Sequence, residues 1–216
     1  MSVESETSCL ISSFLLKINA VRIDPQNPFT WTSGIKSPMY CDLRQTISFP
    51  QVRRQITLQF VRLIKEHFPK TELIAGVATG AIAPAVLVAE ELGLPFVYVR
   101  SGAKTHGLGK TIEGRYTTNQ QTVVIEDLVS TGKSSMQAVT FCREAGLDVL
   151  GMLSVFTYGL PDSVQALREG NCKLFALTDY ECLLQTALSD GTINMDELKV
   201  LQNWRKNPWN WIEERP

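Results

Sequence analysis

At 216 residues, with 44% hydrophobic and 20% charged side chains, the chain can bury one substantial core, which excludes a disordered protein. Lysine and arginine number 21 against 22 acids, so no net field draws the chain toward nucleic acid or membrane, and any anion site must be local. Five scattered cysteines without a C-x-x-C pair, and only His67 and His106 as histidines, argue against a disulfide framework, a zinc knuckle or a multi-histidine metal site; reduced thiols in a cytoplasm are expected.

Met1–Thr7 carries Glu4 and Glu6 and lacks the basic start of a signal peptide. Leu10, Ile11, Phe14, Leu15 and Ile18 recur at helical spacing and predict a helix over Ser8–Ala20. Asp24–Lys36, rich in Pro, Asn, Thr, Ser and Gly, reads as irregular. A second helix should open near Pro50, with Ser48 as N-cap, and bury Val52, Ile56, Phe60 and Leu63 or Ile64. From Glu72 short apolar runs alternate with helical stretches. They are Leu73–Val77, Ala81–Leu92, Pro95–Val99, Thr122–Glu126, Lys133–Ala145, Val149–Phe156, a helix from Pro161–Asp162, and Lys173–Leu177. That rhythm predicts an α/β fold with a mainly parallel sheet covered on both faces. The uncharged stretch Leu73–Ala89 is broken by Gly76, Thr79, Gly80 and Pro84, and reads as strand, loop and helix rather than a membrane span. Residues 191–216, with Trp204, Trp209 and Trp211, read as a helical appendage whose tryptophans seal it onto the body or onto a second subunit.

The chemistry concentrates in Val123-Val124-Ile125-Glu126-Asp127-Leu128-Val129-Ser130-Thr131-Gly132-Lys133-Ser134-Ser135. A buried strand ends in two acids, and a small-residue turn then opens a helix. Ligands of open α/β sheets bind beyond the carboxyl ends of strands. The turn aims the backbone N–H groups of Ser130–Ser134 outward at a helix N-terminus, a seat for phosphate, and hydroxyls of Ser130, Thr131 and Ser134 add donors. Glu126 and Asp127 would repel a phosphate, so their use is sugar hydroxyls or waters on magnesium, unless they are merely solvated. Gly132-Lys133-Ser134 matches the end of a nucleotide-binding P-loop, but that motif needs glycine where this chain has Asp127. Upstream, Arg100, Lys104, His106, Lys110 and Arg115 face the single acid Glu113. This is either a solvated basic loop or a lid that closes over a leaving anion.

Glu126–Ser135 resembles the phosphoribosyl pyrophosphate motif of type I phosphoribosyltransferases. The Arg100-x-x-x-Lys104-x-His106-Gly107 pattern, followed by Glu113-Gly114, is similar to the catalytic loop of the orotate phosphoribosyltransferases. Phe29–Arg44, with Ser33-Gly34, Ser37-Pro38, Tyr40 and Asp42-Leu43-Arg44, resembles that family's N-terminal hood, and Gly76–Gly80 falls where it keeps a pyrophosphate loop. The likeness spans roughly residues 8–160 in order.

The resemblance implies one type I phosphoribosyltransferase domain, with a hood at about 1–48, a core at about 49–190 and the appendage 191–216. It implies transfer of 5-phosphoribosyl from phosphoribosyl pyrophosphate to orotate, in pyrimidine nucleotide synthesis. Magnesium would be held mainly through substrate oxygens, with no metal-ligating residues of the chain's own. Lys104, His106, Arg100 and Asp127 are the implied catalytic residues. Arg100, Lys104, His106, Glu126, Asp127, Leu128, Val129, Ser130, Thr131, Gly132, Lys133 and Ser134 would bind phosphoribosyl pyrophosphate, and Ser130, Tyr40 and Lys36 orotate. A cytoplasmic homodimer sharing the Gly102–Gly114 loop across its interface is implied too. The chain departs from the family pattern at Thr32, Ser101 and Gly80. After Phe156 it reads Thr157-Tyr158-Gly159 in place of an Asp-Arg pair that helps to bind orotate. A phosphoribosyltransferase for another base would share the Glu126–Ser135 site. A non-catalytic regulator sensing phosphoribosyl pyrophosphate would need a nucleic-acid-binding element, and the N-terminal helix offers only Lys17.

Overall fold

The computed structural model describes residues 3–100 and 111–211. Contacts divide the chain into two compact units, Ile47–Leu177 and a second made of Met1–Thr46 with Thr178–Pro216.

In the first unit, α2 (Pro50–His67) precedes β5 (Leu73–Val77), α3 (Ile82–Leu92), β6 (Phe96–Val99), β7 (Ile112–Glu113) and β8 (Gln121–Val129). Then follow α4 (Lys133–Glu144), β9 (Asp148–Thr157), α5 (Pro161–Glu169) and β10 (Leu174–Asp179). The strands form one sheet in the order β10-β9-β8-β5-β6-β7. Pairings β9–β8, β8–β5 and β5–β6 are parallel, and β7 closes antiparallel on β6. The α/β expectation is borne out. Leu73–Val77 and Thr122–Glu126 are buried without a break, as strands covered on both faces must be. Gly76 lets α3 approach: a Cβ there would stand 2.8 Å from Ala85 Cβ and 3.0 Å from the Ala81 carbonyl oxygen.

α2 buries both Leu63 and Ile64 along with Val52, Ile56 and Phe60. Its N-cap is Phe49, not Ser48, because a 3-10 helix occupies Leu43–Ser48. Pro50 then pushes the residue before it into extended backbone, at φ −110° and ψ 97°. The uncharged stretch after Glu72 divides into β5, a turn and α3. None of the described helices is long and apolar enough to cross a membrane.

The second unit holds α1 (Val3–Lys17), β1 (Val21–Ile23), β2 (Phe29–Thr30), β3 (Lys36–Ser37) and β4 (Met39–Cys41), then α6 (Tyr180–Ser189) and α7 (Met195–Lys206). α1 starts and stops earlier than its apolar spacing predicts. Asn19, at φ 55°, ends it, with the Ala20 N–H returning to the Leu15 carbonyl and the Asn19 N–H to that of Leu16. Asp24–Lys36 is not wholly irregular, since Phe29 pairs with Ser37 and Thr30 with Lys36 in a small antiparallel hairpin. Two residues make too little alternation for a strand to be read from sequence. α7 carries a capping box, Asn194 with Glu197. Trp204 is fully buried, edge-on to Trp31 at 5.6 Å, and its Nε1–H donates to the Lys36 carbonyl at 2.8 Å. Trp211 is buried and Trp209 exposed.

Candidate functional site

Two helices begin just beyond the carboxyl ends of neighbouring parallel strands, α3 after β5 and α4 after β8. That edge of the sheet is where an open α/β fold gathers ligand groups. β8 runs on through Asp127 to Val129, three residues past Glu126, where its end was expected.

Glu126 is almost wholly buried. Its Oε2 accepts from Ser135 Oγ at 3.0 Å and its Oε1 from the Asp127 N–H at 3.1 Å. Burial, then the charge of Asp127 and a hydrogen bond between the two side chains, hold the Glu126 carboxyl well above the usual carboxylate range. Ser135 Oγ and the backbone lower it by less. Asp127 is half-buried, and its Oδ1 accepts from the Leu128 N–H at 2.8 Å. The pair therefore offers one recessed carboxyl, its ionisation opposed by burial, beside one nearer the surface, which suits hydroxyl recognition better than two exposed charges would. Among the described residues no group of three acids, histidines or cysteines gathers as a metal site.

The turn after β8 reaches α4 through Gly132, its N-cap, at φ 79° and with no side-chain cap. Ser130 and Thr131 are half-buried, and Lys133 and Ser134 exposed. The first N–H groups of α4 are thus left for a ligand rather than a capping oxygen. A Cβ on Gly132 would meet Ser163 Cα at 3.1 Å, so it points at α5 rather than into the turn. Leu128 is half-buried and Val129 fully buried, the Val129 carbonyl accepting the Tyr158 N–H at 3.0 Å. Those two residues can serve a ligand through backbone only.

The loop between β5 and α3 is pinned by the Ala78 N–H to Val99 and the Ala81 N–H to Val77, and its Ala78–Thr79 peptide is cis. Gly80 stands directly against the Asp127 carboxylate. Just past β6, the Arg100 N–H bonds the carbonyl of Thr111, which precedes β7, at 2.8 Å, and the Arg100 guanidinium lies 3.5 Å from Glu113 Oε1. The catalytic-loop candidates Lys104 and His106 lie outside the described residues, as does Ser101. Arg100 is described, with a partner that the loop's basic excess did not reveal.

In the other unit, Tyr40 is half-buried with Phe29 at 5.7 Å between ring centroids. Arg22, opposite Tyr40 in the β1–β4 register, holds its guanidinium 5.6 Å over the Tyr40 ring and 5.7 Å over that of Phe29. Lys36 Nζ bonds Thr30 Oγ1 at 2.6 Å across the β2–β3 hairpin. Tyr158 is buried edge-on to Phe156 at 5.1 Å.

Sequence reading included Ser135 and Gly80 in the site segments but not their contacts with Glu126 and Asp127, and it missed Arg22. Ser135 carried a signal, three residues into a helix with an acid at the end of the preceding strand. Arg22 carried none.

No family model matches the chain. An orotate phosphoribosyltransferase of Phocaeicola vulgatus is 51% identical over 94% of this chain and 95% of its own length. The UMP synthase structure of Leishmania donovani superposes with a TM-score of 0.77 at 26% identity, over 91% of this chain and 42% of that one. An orotate phosphoribosyltransferase structure from Aeropyrum pernix superposes with a TM-score of 0.73 at 24% identity, over 85% of this chain and 99% of that one.

Proposed function

The chain belongs to the orotate phosphoribosyltransferase family, and on that premise we propose how its residues divide the transfer of a 5-phosphoribosyl group from phosphoribosyl pyrophosphate to orotate. The observation that carries the division is the turn from β8 to α4, a helix start with no side-chain cap beside a buried and a shallower carboxyl.

The 5-phosphate sits in the cradle Ser130–Ser134, bound by backbone N–H groups and hydroxyls, with Leu128 and Val129 shaping its approach and Lys133 at its rim. Binding energy spent there holds the reacting carbon in place. Asp127 takes the ribose hydroxyls, with Glu126 recessed beside it. Arg100, Lys104 and His106 meet the pyrophosphate, where negative charge grows as it leaves. The ring nitrogen of orotate attacks the anomeric carbon as the bond to pyrophosphate breaks, so no protein nucleophile is needed. Tyr40 lies along the base, Ser130 touches it, and Lys36 supplies positive charge toward its carboxylate.

Magnesium, held mainly through substrate oxygens, would neutralise charge on the diphosphate, and Asp127 is the acid that would meet its waters. The protein works in the cytoplasm as a homodimer in which the Gly102–Gly114 loop of each subunit completes the partner's site. The hood, about 1–48, and core, about 49–190, act as one phosphoribosyltransferase domain, with 191–216 as its appendage. The test is loss of orotate absorbance with phosphoribosyl pyrophosphate and magnesium, run beside adenine, hypoxanthine and uracil. Orotate alone should be consumed, and turnover of another base in its place would reassign the base pocket.

A further inference from the structure

The loop after β5 meets the acid pair at one point. An ideal Cβ on Gly80 would overlap Asp127 Oδ2 and stand 2.5 Å from Asp127 Cγ, with Asp127 Oδ1 next at 3.1 Å. All three nearest atoms belong to that one side chain. Gly80 is not among the residues with positive φ, so its backbone would accept an L side chain. Glycine is needed at this position by the carboxylate, not by the chain.

Something must give if a methyl group is added, and the loop is the stiffer side. Besides the two anchors already described, the Ile82 N–H bonds the Thr79 carbonyl at 3.4 Å, so the segment is tied at both ends to β5, β6 and α3. Turning the Asp127 carboxylate away would break its bond to the Leu128 N–H and disturb its hydrogen bond with Glu126.

We propose that Gly80 is a positioning residue for the transfer: the missing side chain is the seat that holds the Asp127 carboxylate toward the ribose hydroxyls. The inference rests on the reading of Asp127 as the ribose-facing acid. A chain with a small residue here can bring its acid against the pyrophosphate loop.

The experiment is a kinetic cycle of Gly80→Ala, Asp127→Asn and the double variant, with the melting temperature of each. Gly80→Ala should lower kcat/KM for phosphoribosyl pyrophosphate about tenfold, with Tm within about 2 °C of wild type, and Gly80→Ser should match it because it adds the same Cβ. In the Asp127→Asn background Gly80→Ala should cost less than about twofold, because the carboxylate it displaces is already disabled. Equal losses in both backgrounds, or wild-type kinetics for Gly80→Ala, overturn the proposal. Should Tm fall further, the comparison still decides, since a general loss of structure would weigh on both backgrounds alike. Wild-type kinetics for Asp127→Asn alone would instead remove the ribose reading, and this inference with it.

Discussion

Ser135 donates its hydroxyl to the carboxyl of Glu126 at 3.0 Å, both side chains buried, and so ties the first turn of α4 to the strand before it. Ser135→Ala would leave one oxygen of a buried acid without its donor, a loss of about 1–3 kcal/mol. The expected result is a lower midpoint in urea with an unchanged slope, together with weaker binding of phosphoribosyl pyrophosphate by calorimetry. An unchanged midpoint would mean that the bond contributes nothing.

The sign of Glu126's pH effect follows from its raised pKa. In the unfolded chain this carboxyl ionises in the usual range; in the folded protein it holds its proton to higher pH. Its contribution to stability is therefore fully present below the unfolded pKa and is lost as pH rises through the folded one. Glu126→Gln, which cannot ionise, should gain in Tm relative to wild type as pH is raised from about 5 to about 8. A difference that stays flat with pH would show that the acid is already ionised in the fold.

Gly132 has φ 79°, and a Cβ would press on Ser163 of α5 at 3.1 Å. Gly132→Ala should cost about 1–2 kcal/mol for the left-handed backbone alone. Valine, β-branched, should cost more. The turn alone suggests a ligand-binding defect without loss of stability, but the contact with α5 predicts both. Calorimetric melting of the two variants measures the first effect and titration with phosphoribosyl pyrophosphate the second.

Much of the sheet is legible in the chain because its signals are local. Leu73–Val77 is a run of apolar residues closed by small ones, and the strand has those bounds. The Ser130–Ser134 turn is readable for the same reason: glycine and hydroxyl residues follow a strand. What the pattern does not carry is contact at distance. That Gly80 abuts Asp127, that Trp204 bonds the Lys36 carbonyl 168 residues away, and that Arg22 covers Tyr40 all depend on how the strands are ordered. The depth of Glu126 is a similar case: adjacent acids look solvated in a string of letters, and only the helix laid over them shows that one is not.

Trp204 tests the tail. Trp204→Ala removes a fully buried ring and the donor to the Lys36 carbonyl, and should cost about 3–5 kcal/mol in chemical denaturation. Trp204→Phe keeps one aromatic ring against Trp31 while losing the N–H and part of the indole volume, so it should cost less than Trp204→Ala. Similar losses for both would show that a single aromatic ring at this place contributes nothing.

The last prediction concerns the shared site. Lys104 lies outside the described residues, while Arg100 and Glu113 bracket the segment that carries it. On the proposed reading that segment serves the partner's Asp127 and Ser130–Ser134, so the two halves of a site come from different subunits. Lys104→Ala should be nearly inactive yet still bind phosphoribosyl pyrophosphate, because the lysine's charge matters most as pyrophosphate leaves. Asp127→Asn should be weak through the other half. Denatured together and refolded, equal amounts should give mixed dimers as about half of the total. In each mixed dimer one site carries both substitutions and the other neither. Activity should then rise from near zero to about one quarter of wild type in the mixture, and to about half in purified mixed dimers. A loop that served its own subunit would put one defect in every site, and mixing would restore nothing. Mixed dimers isolated with two different affinity tags, and found inactive, would decide for that arrangement and against the shared one.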